Sequence, residues 1–538
     1  MTRSPGQLPA LVRQLLKPAA YPHDVGEIQL VETHISWVIL TGEFAYKIKK
    51  PVELGFLDFS TLDLRRHFCE EELRVNRRTA PELYLDVVPI GAGPGGPRVG
   101  LEPAVEYAVR MRQFPHEARL DRCLRDGRLG PVETRRLAET IARFHAAQAP
   151  RRDIDPAYEI ERVVKPARNN FVHLDPAAFD DAGQQRLAVI EAWTLEQAEL
   201  LAPAFERRAR EGAVRECHGD LHLENLLLRD GRFVPFDAIE FNPNLRWIDV
   251  ANDIAFLAMD LMARERRDLA FAALSAWLEA NGAYDSLAVM RFYLAYRSMV
   301  RAVVTAIRRG QGAAQEDDPD RSSTVAAPRS SARLDSGRYV ELAAQLVDTP
   351  PPRLYLMHGL SGSGKTWFSE RLVGALPALR VRSDLERKRL AGLAKAQEAK
   401  GAIASGLYAA DVTQRTYETL ARCCATGLRA GFDMIADATF LRRGHRARFR
   451  ELAASLGAGF AIVECHAPPE LLEQRLRERA AQRSDASDAD VAVLRHQLTH
   501  HDPLSAGERA MTLRVDSGQD AAEAAVRLRA IADRCAEG

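Results

Sequence analysis

The sequence predicts two folds in one chain, an α+β half made of two lobes followed by an α/β half with a parallel sheet. Three observations carry this. Between Ile28 and Met111 the text is strand-like except for one inserted helix. Leu354–Thr366 joins an apolar run to a glycine-rich turn and then to a helical pattern. From Arg353 onward strand and helix alternate to the end of the chain.

In order, Gln7–Leu16 reads as a short amphipathic helix, and Ile28–Thr33, Trp37–Thr41 and Phe44–Lys49 read as strands. A helix is expected over about Leu62–Arg78, opened by Ser60 and Thr61 as caps, with Leu64, Phe68 and Val75 as its buried stripe. Leu83–Ile90 and Val105–Met111 return to strand, an antiparallel start with one helix inserted. Pro131–Glu211 is helical in period, Val214–Asp249 is loop-rich, and helical text then runs to about Arg309. Gly310–Ser336 has clustered acids, prolines and Ser/Ala text with few apolar anchors, so it reads as a linker between separable folding units. A helix, Tyr339–Val347, leads to strands at Arg353–His358, Leu379–Arg382, Met434–Ala436, Phe460–Cys465 and Met511–Val515. The expected organisation is 1–310, a connecting segment 311–349, and 350–538.

At 538 residues the chain exceeds what one hydrophobic core fills. Its 46% hydrophobic and 28% charged residues are those of an ordinary soluble protein. A net charge of zero argues against a nucleic-acid partner while leaving room for a local basic pocket. Seven cysteines without a C-x-x-C pair fit reduced, buried thiols. Arg13 and Gln14 interrupt the only N-terminal apolar stretch, and no run approaches the ~20 residues that span a bilayer. The expectation is a cytoplasmic protein with no membrane partner.

Gly359, Gly364, Lys365 and Thr366 fill every fixed place of G-x-x-x-x-G-K-[ST]. Backbone N–H groups across Gly359, Ser361, Gly362, Ser363 and Gly364 would cradle phosphate oxygens, with the next helix pointing its positive end at the same anion. Lys365 reaches the outer phosphates, and the Thr366 hydroxyl is placed to ligate Mg²⁺. A nucleoside triphosphate, ATP, with Mg²⁺ is the expected ligand.

In the first half, Cys217-His218-Gly219-Asp220-Leu221-His222-Leu223-Glu224-Asn225 keeps the Asp-to-Asn spacing of a kinase catalytic loop, H-R-D-x-x-x-x-N, with Gly219 in place of the arginine. Phe236-Asp237 follows at the end of a short strand, and Phe44-Ala45-Tyr46-Lys47 puts a lysine on an early strand. On these residues the segment resembles the aminoglycoside phosphotransferase family, of protein-kinase-like fold. The resemblance implies Asp220 as catalytic base, Asn225 and Asp237 as Mg²⁺ ligands, Lys47 on the α/β-phosphates, and Glu72 as its ion-pair partner, with Glu71 the close alternative. No G-x-G-x-x-G precedes Lys47, so Thr33–Ser36 would cover the phosphates, with His34 and Ser36 as donors. His218 is expected to brace the loop, Glu240 to assist at the metal, and Asp249 and Asp253 to cap or brace a helix.

In the second half, Asp384 and Arg387 end the second strand as Asp-x-x-Arg, an acid facing the P-loop across the crevice with an arginine one turn on. Here the chain resembles small P-loop kinases, namely the polynucleotide, gluconate, adenylylsulfate and zeta-toxin-like kinases. The match implies Asp384 as base with Arg387 beside it. Asp437 is a Walker-B-like or substrate-side acid, and Arg442, Arg443, Arg446 and Arg448 follow it. Arg475, Arg479 and Arg483 are spaced as lid arginines that neutralise charge on the transferred group, with Arg479 counted among the nucleotide contacts. Nearly the whole chain resembles a bacterial fusion of an aminoglycoside-phosphotransferase-like domain with an AAA-type P-loop kinase domain. It implies a bifunctional kinase passing the γ-phosphate of ATP to hydroxyls of small molecules. The alternatives are a ligand-sensing first half that gates the second, or a P-loop half that phosphorylates nucleotide sugars or nucleic-acid 5′ ends.

Overall fold

The computed structural model describes residues 8–55, 57–152, 155–316, 335–392, 410–482, 491–516 and 518–536, with backbone alone at 156–159, 308–316, 410, 479–482 and 536. Two compact units are present. The first gathers 1–129, 147–263 and 295–344, and the second gathers 130–146, 264–294 and 345–538. The compact units therefore do not follow chain order as a division into 1–310 and 350–538 does. Two segments from within the first 310 residues belong to the second unit. The expected linker lies outside the described residues from 317 to 334, and its opening residues to Glu316 continue a helix that starts at Leu287.

The first unit is organised on a six-stranded antiparallel sheet of β1 (Gln29–Glu32), β2 (Ser36–Leu40), β3 (Phe44–Lys49), β4 (Tyr84–Gly93), β5 (Gly96–Val99) and β6 (Ala104–Arg112). Their spatial order is β1-β2-β3-β6-β4-β5. Alternation along β3 sends Tyr46 and Ile48 into one core, with Val12, Leu15, Trp37 and Ile39. It sends Ala45, and with it Lys47 and Lys49, to the opposite face. There Ala45 packs in a core with Cys69, Tyr84, Val109 and Met111.

On that face lies α1 (Leu62–Asn76), capped by the Thr61 hydroxyl, which accepts from the Leu64 N–H at 3.2 Å. Its buried residues are Arg65, Cys69, Glu72, Val75 and Asn76; of the expected stripe Val75 is buried, while Leu64 and Phe68 are half-buried. Apolar periodicity misplaces the face because three buried positions are polar and satisfied across the fold. Arg65 donates to Glu106 at 2.9 Å, Glu72 meets two lysines, and the Asn76 amide donates to Glu72 O at 3.0 Å. Strand Val214–Glu216 pairs with Trp247–Asp249, and Leu226–Arg229 pairs with Arg232–Pro235 through the Asp230-Gly231 turn. The loop 217–225 and Asp237 are held at the ends of these short strands.

In the second unit β7 (Arg353–His358), β8 (Leu379–Arg382), β9 (Met434–Asp437), β10 (Gly459–Cys465) and β11 (Thr512–Val515) form one parallel sheet in the order β8-β9-β7-β10-β11. Leu354, Tyr355, Leu356 and Met357 are fully buried, as a central parallel strand requires. All seven cysteines are free thiols. Among the described residues no helix is long and apolar enough to cross a membrane.

Candidate phosphate sites

In the first unit the side chains expected from sequence converge. Lys47 Nζ lies 2.8 Å from Glu72 Oε1 and 2.5 Å from Asp237 Oδ1. Glu72, rather than Glu71, reaches the lysine. Glu71 sits on the flank of α1 and pairs with Arg74 and Arg246. Lys49, two residues on and fully buried, donates to Glu72 Oε2 at 2.9 Å and also pairs with Glu240. Glu240 is thus spent on a lysine inside the core, not placed as a helper at a metal. Burial alone would raise the Glu72 carboxyl, but Lys47 and then Lys49 outweigh it and bring it down to about 2. Burial wins at Glu240, whose carboxyl is pushed up despite Lys49.

The loop 217–225 is fixed from beneath. His218 is buried, its Nε2 pairing with Phe236 O at 2.8 Å and its Nδ1 accepting the Asp220 N–H at 3.3 Å. Asp253 accepts the N–H groups of His218 and Gly219 at 3.2 and 2.9 Å, while Asp249 is held by Arg208 at 2.6 Å. Gly219 has φ +85°, and a Cβ there would lie 2.6 Å from Leu245 O. In this chain only glycine fits the position.

Asn225 donates through Nδ2 to Asp220 Oδ2 at 2.9 Å and to Asp220 O at 3.0 Å. Its Oδ1 is left as the atom for a cation. His222 Nε2 stands 3.3 Å from the same carboxylate oxygen. Burial would raise the Asp220 carboxyl, but His222, then Arg301 and His218, hold it well below the usual range. Asp237 keeps 41% of its side chain exposed. Its φ is +61°, and its N–H donates to Tyr84 Oη at 3.0 Å. Ser36 is fully buried, so it is not a phosphate donor as expected; His34 is half-buried in the β1–β2 turn.

In the second unit β7 feeds a loop that only glycines can follow. A Cβ on Gly359 would lie 2.4 Å from Cys465 O, and one on Gly362 would lie 2.9 Å from Leu472 O. Gly364, at φ +89°, caps α2 (Lys365–Ala375). The Ser363 hydroxyl is buried with no hydrogen-bond partner among the described residues. Lys365 Nζ donates to Leu360 O at 2.8 Å, across the mouth of the loop. This concave loop, with its orphaned hydroxyl and helix N-terminus, fits a phosphate chain.

Beside it is a cleft of about 330 Å³, lined among others by Thr366, Asp384, Arg387, Tyr417, Asp437 and Arg475. Arg387 Nη1 is 3.6 Å from Asp384 Oδ1. Asp437, ending β9, accepts the Ser369 hydroxyl at 2.9 Å. Arg475 donates to Gly362 O at 3.4 Å, whereas the side chain of Arg479 and all of Arg483 lie outside the described residues. Arg446 is not a site residue: it is 1% exposed and bound to Glu508 and to the carbonyls of Phe440, Leu441, Asp502 and Pro503. Arg442 and Arg448 are exposed, near Asp502 and Glu418 respectively.

Sequence reasoning assigned no role to Lys49, His222, Tyr84 or Arg380. Only Lys49 left a signal, an i, i+2 repeat with Lys47 on one face of a strand.

The chain therefore joins a protein-kinase-like fold to a P-loop kinase fold. Residues 354–504 match the AAA domain family. The chain is 30% identical over 469 residues to the "Uncharacterized protein Rv2004c" of Mycobacterium tuberculosis and likewise to "Uncharacterized protein Mb2027c" of Mycobacterium bovis, covering 87% of this chain and 89% of each relative. It belongs to their family. Among solved structures it is similar to a choline/ethanolamine kinase family protein of Mesorhizobium loti, with 14% identity, 63% of this chain and 96% of that one covered, and a TM-score of 0.37. It is also similar to a gluconokinase of Sinorhizobium meliloti 1021, with 23% identity, 35% and 96% covered, and a TM-score of 0.25.

Proposed function

We propose that the chain is an ATP-dependent phosphotransferase with two ATP·Mg²⁺ sites, each passing the γ-phosphate to a hydroxyl of a small molecule. The observation that carries this is the convergence of Lys47, Glu72, Asp237, Asn225 and Asp220 in one unit, together with a glycine loop, a partnerless buried Ser363 hydroxyl and Lys365 at a helix N-terminus in the other. In the first site Lys47, anchored by Glu72, orients the α/β-phosphates. Asn225 Oδ1 and Asp237 would hold Mg²⁺, which when bound offsets charge on the departing diphosphate. Asp220, ionised at neutral pH and held by Asn225, takes the acceptor's proton as the acceptor oxygen bonds to the γ-phosphorus. The bond from that phosphorus to the β–γ bridging oxygen breaks, and ADP leaves.

In the second site the Gly362 and Gly364 N–H groups, the Ser363 hydroxyl and Lys365 bind the phosphates, while the N–H groups of Gly359, Ser361 and Ser363 donate to Thr439 O, Gln497 Oε1 and Leu360 O. Thr366 and Asp437 would hold Mg²⁺, and Asp384 is the base with Arg387 alongside. Among the described residues Arg475 is the lid arginine that meets the loop, at Gly362 O.

The test is transfer from γ-labelled ATP to a cellular metabolite pool by the full chain, Asp220→Asn, Lys365→Ala and the double variant. Each single change should remove a different set of labelled products, and the double variant should remove all. Identical products from all four proteins would overturn the proposal.

A further inference from the structure

Glu279 belongs to the helix Arg267–Asn281, which precedes the linker by some distance in the chain yet is part of the second unit. It is 2% exposed and makes an ion pair with Arg380 of β8, Nε to Oε1, at 2.7 Å. Arg380 is itself fully buried. Its backbone is held to the same region, the N–H donating to Ser275 Oγ at 3.2 Å and the carbonyl accepting from Tyr284 Oη at 2.9 Å. The far end of the guanidinium enters the phosphate site. Nη1 donates to Thr366 O at 3.2 Å and to Ser369 Oγ at 2.9 Å.

Ser369 has one hydroxyl proton and two acceptors within reach, Thr366 O at 3.1 Å and Asp437 Oδ2 at 2.9 Å. Arg380 already donates both to Thr366 O and to the serine oxygen. With the guanidinium donating to the serine oxygen, the serine proton points to an acceptor, and Asp437 Oδ2 is the nearer of the two and a carboxylate. One guanidinium thus fixes the first turn of the P-loop helix and the orientation of the acid that ends β9.

We infer that Glu279 and Arg380 form a positioning pair for the P-loop site, setting Thr366 and Asp437 for the divalent cation that accompanies a nucleoside triphosphate. The inference rests on the P-loop assignment made above. A carboxylate is needed opposite Arg380 because an unpaired guanidinium would not stay fully buried. Burial opposes ionisation of Glu279, but Arg380, then Arg382 and Arg135, outweigh it and hold its carboxyl down to about 2. Arg135, from the helix Pro131–Ala147, completes the strut, 3.2 Å from Glu279 Oε2 and 3.2 Å from Glu370 of α2. The Thr366 and Asp437 side of the P-loop site is therefore held by Glu279 and Arg135, from segments 264–294 and 130–146 of the same unit.

The test uses the full chain in a Lys47→Met background, which silences the first site. ATP affinity is measured across a Mg²⁺ titration and in excess EDTA, together with the melting temperature. Glu279→Gln should raise the Mg²⁺ concentration for half-maximal tightening at least 10-fold, while affinity in EDTA changes less than 3-fold. The double variant Glu279→Gln/Arg380→Met removes both charges and both Nη1 bonds, so it should melt near the parent yet keep the Mg²⁺ defect, which separates positioning from stability. Mg²⁺ dependence within 2-fold of the parent in both variants, with Lys365→Ala still abolishing binding, would overturn the positioning pair and leave the P-loop assignment standing. A parent that does not bind ATP, or binds it no better than Lys365→Ala, would remove that assignment and the inference with it.

Discussion

Replacing Glu72 by Gln probes the buried charge cluster on which the first site depends. Glu72 has no exposed surface and faces Lys47 and Lys49 together. Its carboxyl falls from an ordinary 4.5 to about 2 in the folded chain. A gap of that size corresponds to roughly 3 kcal/mol at neutral pH. Breaking a buried pair costs about 3–5 kcal/mol by general experience, so the two routes agree. The sign follows from the direction. A carboxyl depressed by folding stabilises fully above its unfolded value and loses that contribution as pH falls towards its folded one. The wild-type advantage over Glu72→Gln should therefore be complete at pH 7, begin to shrink below about pH 4.5, and fall under half by about pH 3. Urea denaturation at several pH values, following the transition that unfolds the β1–β6 sheet, measures it. A difference under about 0.5 kcal/mol at pH 7, or one that does not narrow on acidification, would refute the reasoning.

Gly219→Ala should lower the melting temperature and remove first-site transfer, since a left-handed backbone and a 2.6 Å approach to Leu245 O must both be relieved. The left-handed strain alone is worth about 1–3 kcal/mol, and a variant as stable and active as the parent would contradict it. Lys365→Ala should reduce second-site transfer by roughly 10²–10³-fold, read as loss of its labelled products with the Asp220-dependent ones kept. Proteolytic cleavage within 317–334 should leave two pieces that co-elute in gel filtration, because Glu279, Ser275 and Tyr284 stay on Arg380. A fragment 350–538 made alone lacks those partners and should be insoluble or nucleotide-blind. A soluble monomeric fragment with parental ATP affinity would show that the segments 130–146 and 264–294 are dispensable to it.

What could be read from the sequence was what is local in it. The P-loop is a contiguous run whose glycines answer to neighbouring backbone, and its flanking strand and helix stand where the apolar text put them. The Asp220–Asn225 spacing is also local, because one loop holds both residues. Glu72 and Glu71 could not be separated by spacing alone, since both flank the presumed stripe; the choice is made by Lys49, which closes the cluster with Glu240 from 191 residues away. Arg446 looked like a site arginine beside Asp437, and only Glu508, 62 residues on, shows why it is buried. The helix Arg267–Asn281 continues helical text, and nothing local in the sequence separates it from what precedes it. Its ion pair with Arg380 spans 101 residues, a distance that periodicity does not see.

The measurement that tests the central claim most directly is the stoichiometry of ATP·Mg²⁺ binding to the full chain by titration calorimetry. The account predicts two sites for the parent, loss of one in Lys47→Met, loss of the other in Lys365→Ala, and none in the double variant. A parent with a single site, or a site count that either substitution leaves unchanged, would contradict it.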